Sequence, residues 1–215
     1  MSASPKVCVA LPTSKHLHRQ MIEGIVGYAR ERGSWQLFLV TEDDSGLGLR
    51  QARNWGANGV IAFGRNADWT REIFRWKVPA VLFNCDLRGQ PPRTVYLRRD
   101  QENVGKTAAE YFLERGYASF AFVGTAARED WSVRRCEGFV RRLKRAKREV
   151  SVYPQATRRE AEDFGLEAPR MRRFLESLPN GTAVFVAHDR RAQLVLGLCM
   201  ELGITVPERL AVLGV

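Results

Sequence analysis

A strand that runs directly into an amphipathic helix, in residues 6–33, constrains the fold of this chain more than any other stretch. Residues 7–11 form an unbroken apolar run, as expected for a strand buried on both faces. Apolar side chains then recur with helical spacing, and Gly33 provides a stop. The helical apolar positions are Ile22, Ile25, Val26 and Ala29. Because such a unit packs as a right-handed crossover, the sequence predicts an open α/β sheet with ligands beyond the carboxyl ends of its strands.

The same alternation of strand and helix continues along the chain and predicts parallel sheets. It is interrupted at residues 84–93, a stretch rich in glycine and proline near which we expect a hinge, and it restarts at Asp100. We therefore predict an α/β fold of two doubly wound lobes, residues 1–98 and residues 99–215, with a cleft between them. Further strands are predicted at 35–41, 59–63, 78–83, 94–97, 119–124, 150–153, 182–187 and 210–215, and later helices at 68–76, 131–148, 168–178 and 189–202.

The last predicted strand, LAVLGV at 210–215, has the composition of a strand buried on both faces. A buried parallel strand needs a helix to cover it, and none follows here. We therefore expect the second lobe to be incomplete in this sequence.

Composition favours an intracellular globular protein. No apolar run approaches the ~18 residues of a membrane span, and the polar start MSASPK lacks the apolar core of a signal peptide. The four cysteines lie far apart with no CxxC pair, which favours reduced structural thiols. These features predict a cytoplasmic protein with no membrane partner.

The formal net charge of +10 raises the question of nucleic-acid binding. The densest basic run is residues 141–148, where apolar side chains separate the cations. This pattern is typical of the solvated face of an amphipathic helix, which we favour over direct DNA contact.

Five segments, in this order, resemble the effector-binding core of the LacI/GalR family of sugar-responsive repressors. They are RQMIEGIVGYARERG, VPAVLFN, DQENVGKTAAEYFLERGYASFAFVG, RRCEGFVRRL and TAVFVAHDRRAQLVLGLCMELGITVPERLAVLGV. Within that family, SKHLHRQMIEG and WSVRRCEGF are most similar to the xylose-responsive branch, whose sensor precedes an AraC-type helix-turn-helix.

The resemblance implies a periplasmic-binding-protein-like sugar sensor that forms a homodimer and passes its ligand state to a DNA-binding module by cleft closure. The expected ligand is a xylose-like pentose, with no cofactor, no metal and no catalysis. We find no DNA-reading helix-turn-helix in these 215 residues, so DNA is expected as a partner only through such a domain beyond them.

Arg135 and Asp189 are candidate ligand-binding residues of the predicted second lobe. Arg135 matches the family arginine that reaches into the cleft, and a guanidinium suits adjacent hydroxyls, although it could be one more charge on a basic helix. Asp189 follows a strand end, where a carboxylate can accept hydrogen bonds from two hydroxyls and could also cap the next helix. We assign the neighbouring His188 to packing or to a loop.

Four further candidates have plausible structural roles as well. Ser14, Lys15 and His18 follow the first strand and match the xylose-responsive segment in position, while Ser14 could equally bond its own turn. Trp131 could stack on a sugar ring or pack in the core.

Other constellations are incomplete. Gly105-Lys106-Thr107 resembles the end of a phosphate-binding loop, but Asp100 stands where the first glycine is required. The histidines lack a complementary set of metal ligands, and no GxGxxG follows the first strand to accompany the acidic residues 42–44. An enzyme using Cys85 or a histidine, and a transport-type sugar-binding protein, remain the alternative functions.

Overall fold

A computed structural model describes residues 4–14, 16–33, 35–40, 46–64, 67–83, 93–127 and 129–215 of the chain. The chain divides into two compact units, Met1–Arg99 and Asp100–Val215, here termed the first and second units. None of the described helices has the length and apolar character that a membrane span requires.

The first unit is a parallel sheet of five strands in the order β2-β1-β3-β4-β5. Its elements follow one another as predicted, strand then helix, until β4 is followed by β5. They are β1 (Lys6–Ala10), α1 (His16–Arg32), β2 (Gln36–Val40), α2 (Leu47–Asn54), β3 (Gly59–Phe63), α3 (Ala67–Arg75), β4 (Ala80–Phe83) and β5 (Thr94–Leu97).

The second unit is a parallel sheet of four strands in the order β7-β6-β8-β9. Its elements are α4 (Gln101–Glu114), β6 (Ser119–Val123), α5 (Asp130–Arg145), β7 (Val150–Val152), α6 (Arg158–Glu162), α7 (Phe164–Ser177), β8 (Thr182–Val186), α8 (Asp189–Glu201) and β9 (Leu210–Leu213). The prediction of an α/β fold with parallel sheets is confirmed.

Continuous apolar runs form the central strands because both faces of each sheet are covered. Along β8, Ala183 and Phe185 pack into one hydrophobic cluster, whereas Val184 and Val186 pack into another. Successive side chains of a strand point to opposite faces, so both sets need apolar partners. This is the reason that the run TAVFVA could be recognised as a buried strand.

The region before α7 differs from the prediction, which began a single helix at Ala168. The structure has a short helix, α6, and begins α7 at Phe164. Thr157 and Glu160 form a reciprocal capping box at the start of α6, and Asp163 accepts a hydrogen bond from the Gly165 amide at the start of α7. The Thr-x-x-Glu spacing of that capping box is a sequence signal that our prediction missed.

Helices α4 and α5 cross with their backbones in contact at two glycines. A methyl group on Gly105 would collide with the Arg135 carbonyl, and one on Gly138 would collide with the Glu102 carbonyl. Gly105 therefore lies in a helix interior at a helix crossing, which explains it without a phosphate-binding loop. The crossing fixes where α5 lies against the rest of the second unit.

We expect Gly138→Ala to lower the free energy of unfolding by about 1–3 kcal/mol, because the added methyl group forces the two backbones apart. Chemical denaturation of the chain measures this change. Gly24→Ala in α1 is the matched control: no described atom lies within 4 Å of its methyl group, and the substitution should stabilise the helix by about 0.5–1 kcal/mol. Equal effects of the two substitutions would contradict the close crossing.

Candidate functional site

The carboxyl ends of β6 and β8 meet at one edge of the second sheet. The two strands are parallel neighbours with Val123 opposite Val186, and the Ala187 amide donates to the Val123 carbonyl at 2.9 Å. Ser132 of α5 joins the same edge, because its hydroxyl accepts a hydrogen bond from the Thr125 amide at 3.1 Å. The side chains at this edge come from residues distant in sequence.

Arg135 is buried at this edge, with 4% of its surface exposed. Its Nε donates to Oε1 of Gln101 in α4 at 2.8 Å, and its Nη1 donates to the Ala187 carbonyl. The guanidinium carbon lies 5.0 Å from the centre of the Trp131 ring. Arg135 and Trp131, predicted separately from the sequence, are thus in contact, and Arg135 is not part of the solvated face of α5.

His188 also packs against Trp131, with 5.7 Å between the ring centres. Its Nδ1 accepts a hydrogen bond from the Arg191 amide at 3.2 Å, which makes His188 the N-cap of α8. A neutral imidazole that accepts at Nδ1 carries its proton at Nε2. Burial lowers the pKa of His188, and the positive charges of nearby arginines lower it further against the opposing effect of Glu129.

The expectation that Asp189 caps α8 is therefore wrong, because the cap is the preceding residue, His188. Asp189 is the first residue of α8 and is exposed, and its amide donates to the Val215 carbonyl at 3.2 Å. Its carboxylate lies against Gly214 at the end of the neighbouring strand β9. His188, assigned to packing or to a loop, does pack against Trp131, but its capping of α8 was not predicted.

A cavity of about 360 Å³ opens beside His188. The loop after β6, the segment from α6 to α7 and the start of α8 line it, and none of the predicted site residues does so among the residues the structure describes. Its lining includes Thr125, Glu129, Phe164, Glu167, His188 and Arg191. His188 is thus shared by this cavity and by the cluster of Trp131 and Arg135.

One wall of the cavity is a buried ion pair. Glu167 is fully buried and Arg191 is 5% exposed. The two carboxylate oxygens of Glu167 accept from Nη1 of Arg191 at 2.7 Å and from its Nη2, while Nε donates to the Gly124 carbonyl at 3.2 Å. Burial, followed by the charge of Glu167, raises the pKa of the adjacent Tyr153 to about 12. No sequence motif pointed to this pair, because its members lie 24 residues apart.

The predicted site residues of the first unit lie after β1. His18 is 3% exposed, donates from Nδ1 to the Pro12 carbonyl at 3.1 Å and packs its ring 4.7 Å from that of Phe63. Ser14 is exposed. Several predicted features lie outside the described residues. They are Lys15, the acidic residues 42–44, Cys85 and nearly all of the expected hinge at 84–93.

The fold defines a class: the chain has a periplasmic-binding-protein-like α/β fold. Residues 109–215 match the family described as periplasmic binding protein-like domain. The resemblance to LacI-type sensor domains noted in the sequence is confirmed.

Within this class, the chain is similar to xylose operon regulatory proteins. It is 26% identical to the one from Escherichia coli (strain K12) over 98% of this chain and 54% of the relative, and 24% identical to that of Haemophilus influenzae over 98% and 55%. The chain therefore spans about half the length of these relatives.

Solved structures share the fold. A xylose-binding transcription activator superposes with a TM-score of 0.81 at 24% identity, over 99% of this chain and 54% of that one. A periplasmic binding protein/LacI transcriptional regulator from Alkaliphilus metalliredigens QYMF, complexed with D-xylulofuranose, gives a TM-score of 0.67 at 20% identity over 98% and 77%.

The lowered pKa of His188 predicts a specific pH dependence. The unfolded chain binds a proton at His188 near pH ~6.5, whereas the folded chain resists it, so folding stability should fall as the pH drops below that value. His188→Asn keeps a capping acceptor without titrating and should lack this loss. Unfolding free energies of both proteins, measured from about pH 5 to about pH 8, test the prediction. A difference that stays constant over this range would contradict it.

Proposed function

We propose that this chain is the sugar-binding effector domain of a transcriptional regulator and that its ligand is a xylose-like pentose. The observation that carries the proposal is the cluster of Trp131, Arg135 and His188 at the carboxyl edge of the second sheet. This edge is where ligands bind in open α/β sheets. The names of the relatives support the choice of sugar.

The three side chains suit a monosaccharide chemically. An indole face packs against the C–H groups of a sugar ring, and a guanidinium donates to adjacent hydroxyl oxygens. The neutral imidazole of His188 adds an Nε2 donor, and the carboxylate of Asp189 is an acceptor beside it. A site with donors, an acceptor and one apolar face suits a small polyol.

Arg135 is held in place by contacts that leave its orientation little freedom. Its Nε and Nη1 donate in two directions, to Gln101 and to the Ala187 carbonyl, and the Trp131 ring covers one face. A guanidinium has five donors in a rigid plane, so fixing two of them fixes the directions of all five. The ligand then meets a preformed donor array.

The remaining parts of the proposal rest on the sequence and the relatives. Ser14, Lys15 and His18 remain predicted ligand contacts of the first unit. The regulator would be cytoplasmic, would form a homodimer and would bind DNA through a separate helix-turn-helix domain. The exposed apolar side chains of α8, with Met200 83% exposed, support a homodimer, which the mass of the chain in solution tests. The ligand would signal by binding one conformation better than another.

Enzymatic alternatives receive no support from the described thiols. Burial raises the pKa of Cys8 to about 12 and that of Cys136 to about 11, and it also raises the pKa of Cys199. A thiol with a raised pKa is a poor nucleophile at neutral pH. We therefore propose a binding function without catalysis.

Titration calorimetry with a panel of pentoses and hexoses tests the proposal. We expect Arg135→Lys to weaken sugar binding by about 10-fold or more, because a point charge cannot reproduce the directed donors of the guanidinium. Arg134→Lys is the matched control, since Arg134 is exposed and pairs with Asp130 at 2.7 Å. Failure of the unmodified chain to bind any sugar of the panel, or equal loss in both variants, would contradict the proposed function.

Gln101 should act as a positioning residue for Arg135. We expect Gln101→Leu to weaken sugar binding by about 5–10-fold, because Nε of Arg135 loses its acceptor. Gln101→Glu keeps an acceptor oxygen and should retain most of the affinity. The same titrations measure both effects, with thermal unfolding as a check on the fold. Equal losses in the two variants would show that Gln101 does not orient the guanidinium through its acceptor.

A further inference from the structure

The six cations of residues 141–148, at and just after the end of α5, separate into two groups in the structure. Arg141 pairs with Glu102 at 2.7 Å and Arg142 pairs with Glu110 at 3.1 Å, so both link α5 to α4. The other four are exposed, and none takes part in an ion pair recorded among the described residues. These four, Lys144, Arg145, Lys147 and Arg148, are termed the α5 basic patch.

The turn that ends α5 carries a lysine where glycine is usual. The Arg148 amide donates to the Leu143 carbonyl and the Lys147 amide donates to the Lys144 carbonyl, which is the Schellman arrangement. Lys147 occupies its left-handed position with φ 57°. At the equivalent position after α2, α4 and α8 the chain has Gly56, Gly116 and Gly203. After α3, Lys77 occupies the same left-handed position, so the conformation of Lys147 serves only as a place where a change to glycine should raise stability.

The helix dipole accounts for only part of the patch. Cations in the last turn of a helix are favourable whatever they contact, and this explains Lys144 and Arg145. The effect falls off beyond that turn. Lys147 and Arg148 follow the helix and need another explanation.

The patch lies away from the sugar site within the second unit. Arg148 comes just before β7, so it lies near the amino ends of the parallel strands. Trp131 and His188 lie at the carboxyl ends of β6 and β8, the opposite edge of the same sheet. A ligand of the patch and a sugar can therefore bind at the same time.

We propose that the α5 basic patch binds the phosphate backbone of duplex DNA. We choose DNA because this inference rests on the proposed role in a transcriptional regulator, and DNA is the polyanion that such a protein binds. Exposed cations without acidic partners neutralise phosphates and release counterions, with no selection of sequence. A separate DNA-reading domain would make the sequence-specific contacts. The patch would add contacts to the DNA backbone that do not depend on the base sequence.

Fluorescence anisotropy of a short labelled duplex of mixed sequence, with the full chain, tests the proposal. Between about 50 and about 200 mM salt, the slope of log K against log salt should be about −0.9 for each phosphate contacted, hence about −3.6 for four contacts. Lys147→Gln with Arg148→Gln should bring this slope to about −1.8. Arg30→Gln with Arg32→Gln is the matched control. It also removes two exposed cations at the end of a helix, α1, so it lowers the formal net charge of +10 by the same amount.

A single substitution separates binding from folding. Lys147→Gly should raise the thermal stability and yet reduce the salt slope by about 0.9, the loss of one contact. Lys77→Gly is its control, because Lys77 has φ 56° at the end of α3 and should give the same stabilisation with no change in DNA binding.

Three results would overturn the proposal. They are no binding of duplex DNA at the lower salt concentration, an equal loss in the two double variants, and tighter binding of single-stranded RNA of the same length. The sugar titrations are independent of all three. A chain that binds sugar but not DNA would overturn this inference alone, whereas a chain that binds no sugar would contradict the proposed function.

Discussion

The contact between the backbones of α4 and α5 sets the geometry of the second unit. Gly105 and Gly138 allow the two helices to approach so closely that a methyl group at either position would overlap a carbonyl of the other helix. At this distance Gln101 of α4 reaches Nε of Arg135. The placement of the guanidinium therefore depends on two residues that have no side chain, and the directions of its donors at the candidate site follow from helix packing.

The start of α8 joins the two halves of the candidate site. His188 caps the helix and faces Trp131, while Arg191, one turn later, is buried against Glu167. Removing one partner of a buried ion pair leaves an uncompensated charge, at a cost of about 3–5 kcal/mol. The pair therefore fixes Arg191 against the cavity wall, three residues after the capping residue His188.

Sequence patterns predicted the elements well where local physics decides them. The run TAVFVA and the helical spacing in 19–33 gave a strand and a helix, because burial on both faces or on one face dictates those periods. Arg135 was singled out through its place in a motif, and the structure shows that it is buried. Patterns failed where the outcome depends on a single residue or on long-range contact. The cap of α8 is His188 and not Asp189, and the ion pair of Glu167 and Arg191 could be found only from the fold.

The same residue type performs different chemistry at the two ends of α5, and burial is the variable that separates them. Arg135 is stripped of water and fixed by directed hydrogen bonds, so its plane can discriminate among hydroxyl arrangements. Arg145 and Arg148 remain in solvent, where a cation acts mainly through its charge and is screened by salt. Net charge alone would treat these arginines alike. We propose recognition for the buried residue and polyanion attraction for the exposed ones, and one helix could serve both because its two ends lie at opposite edges of the sheet.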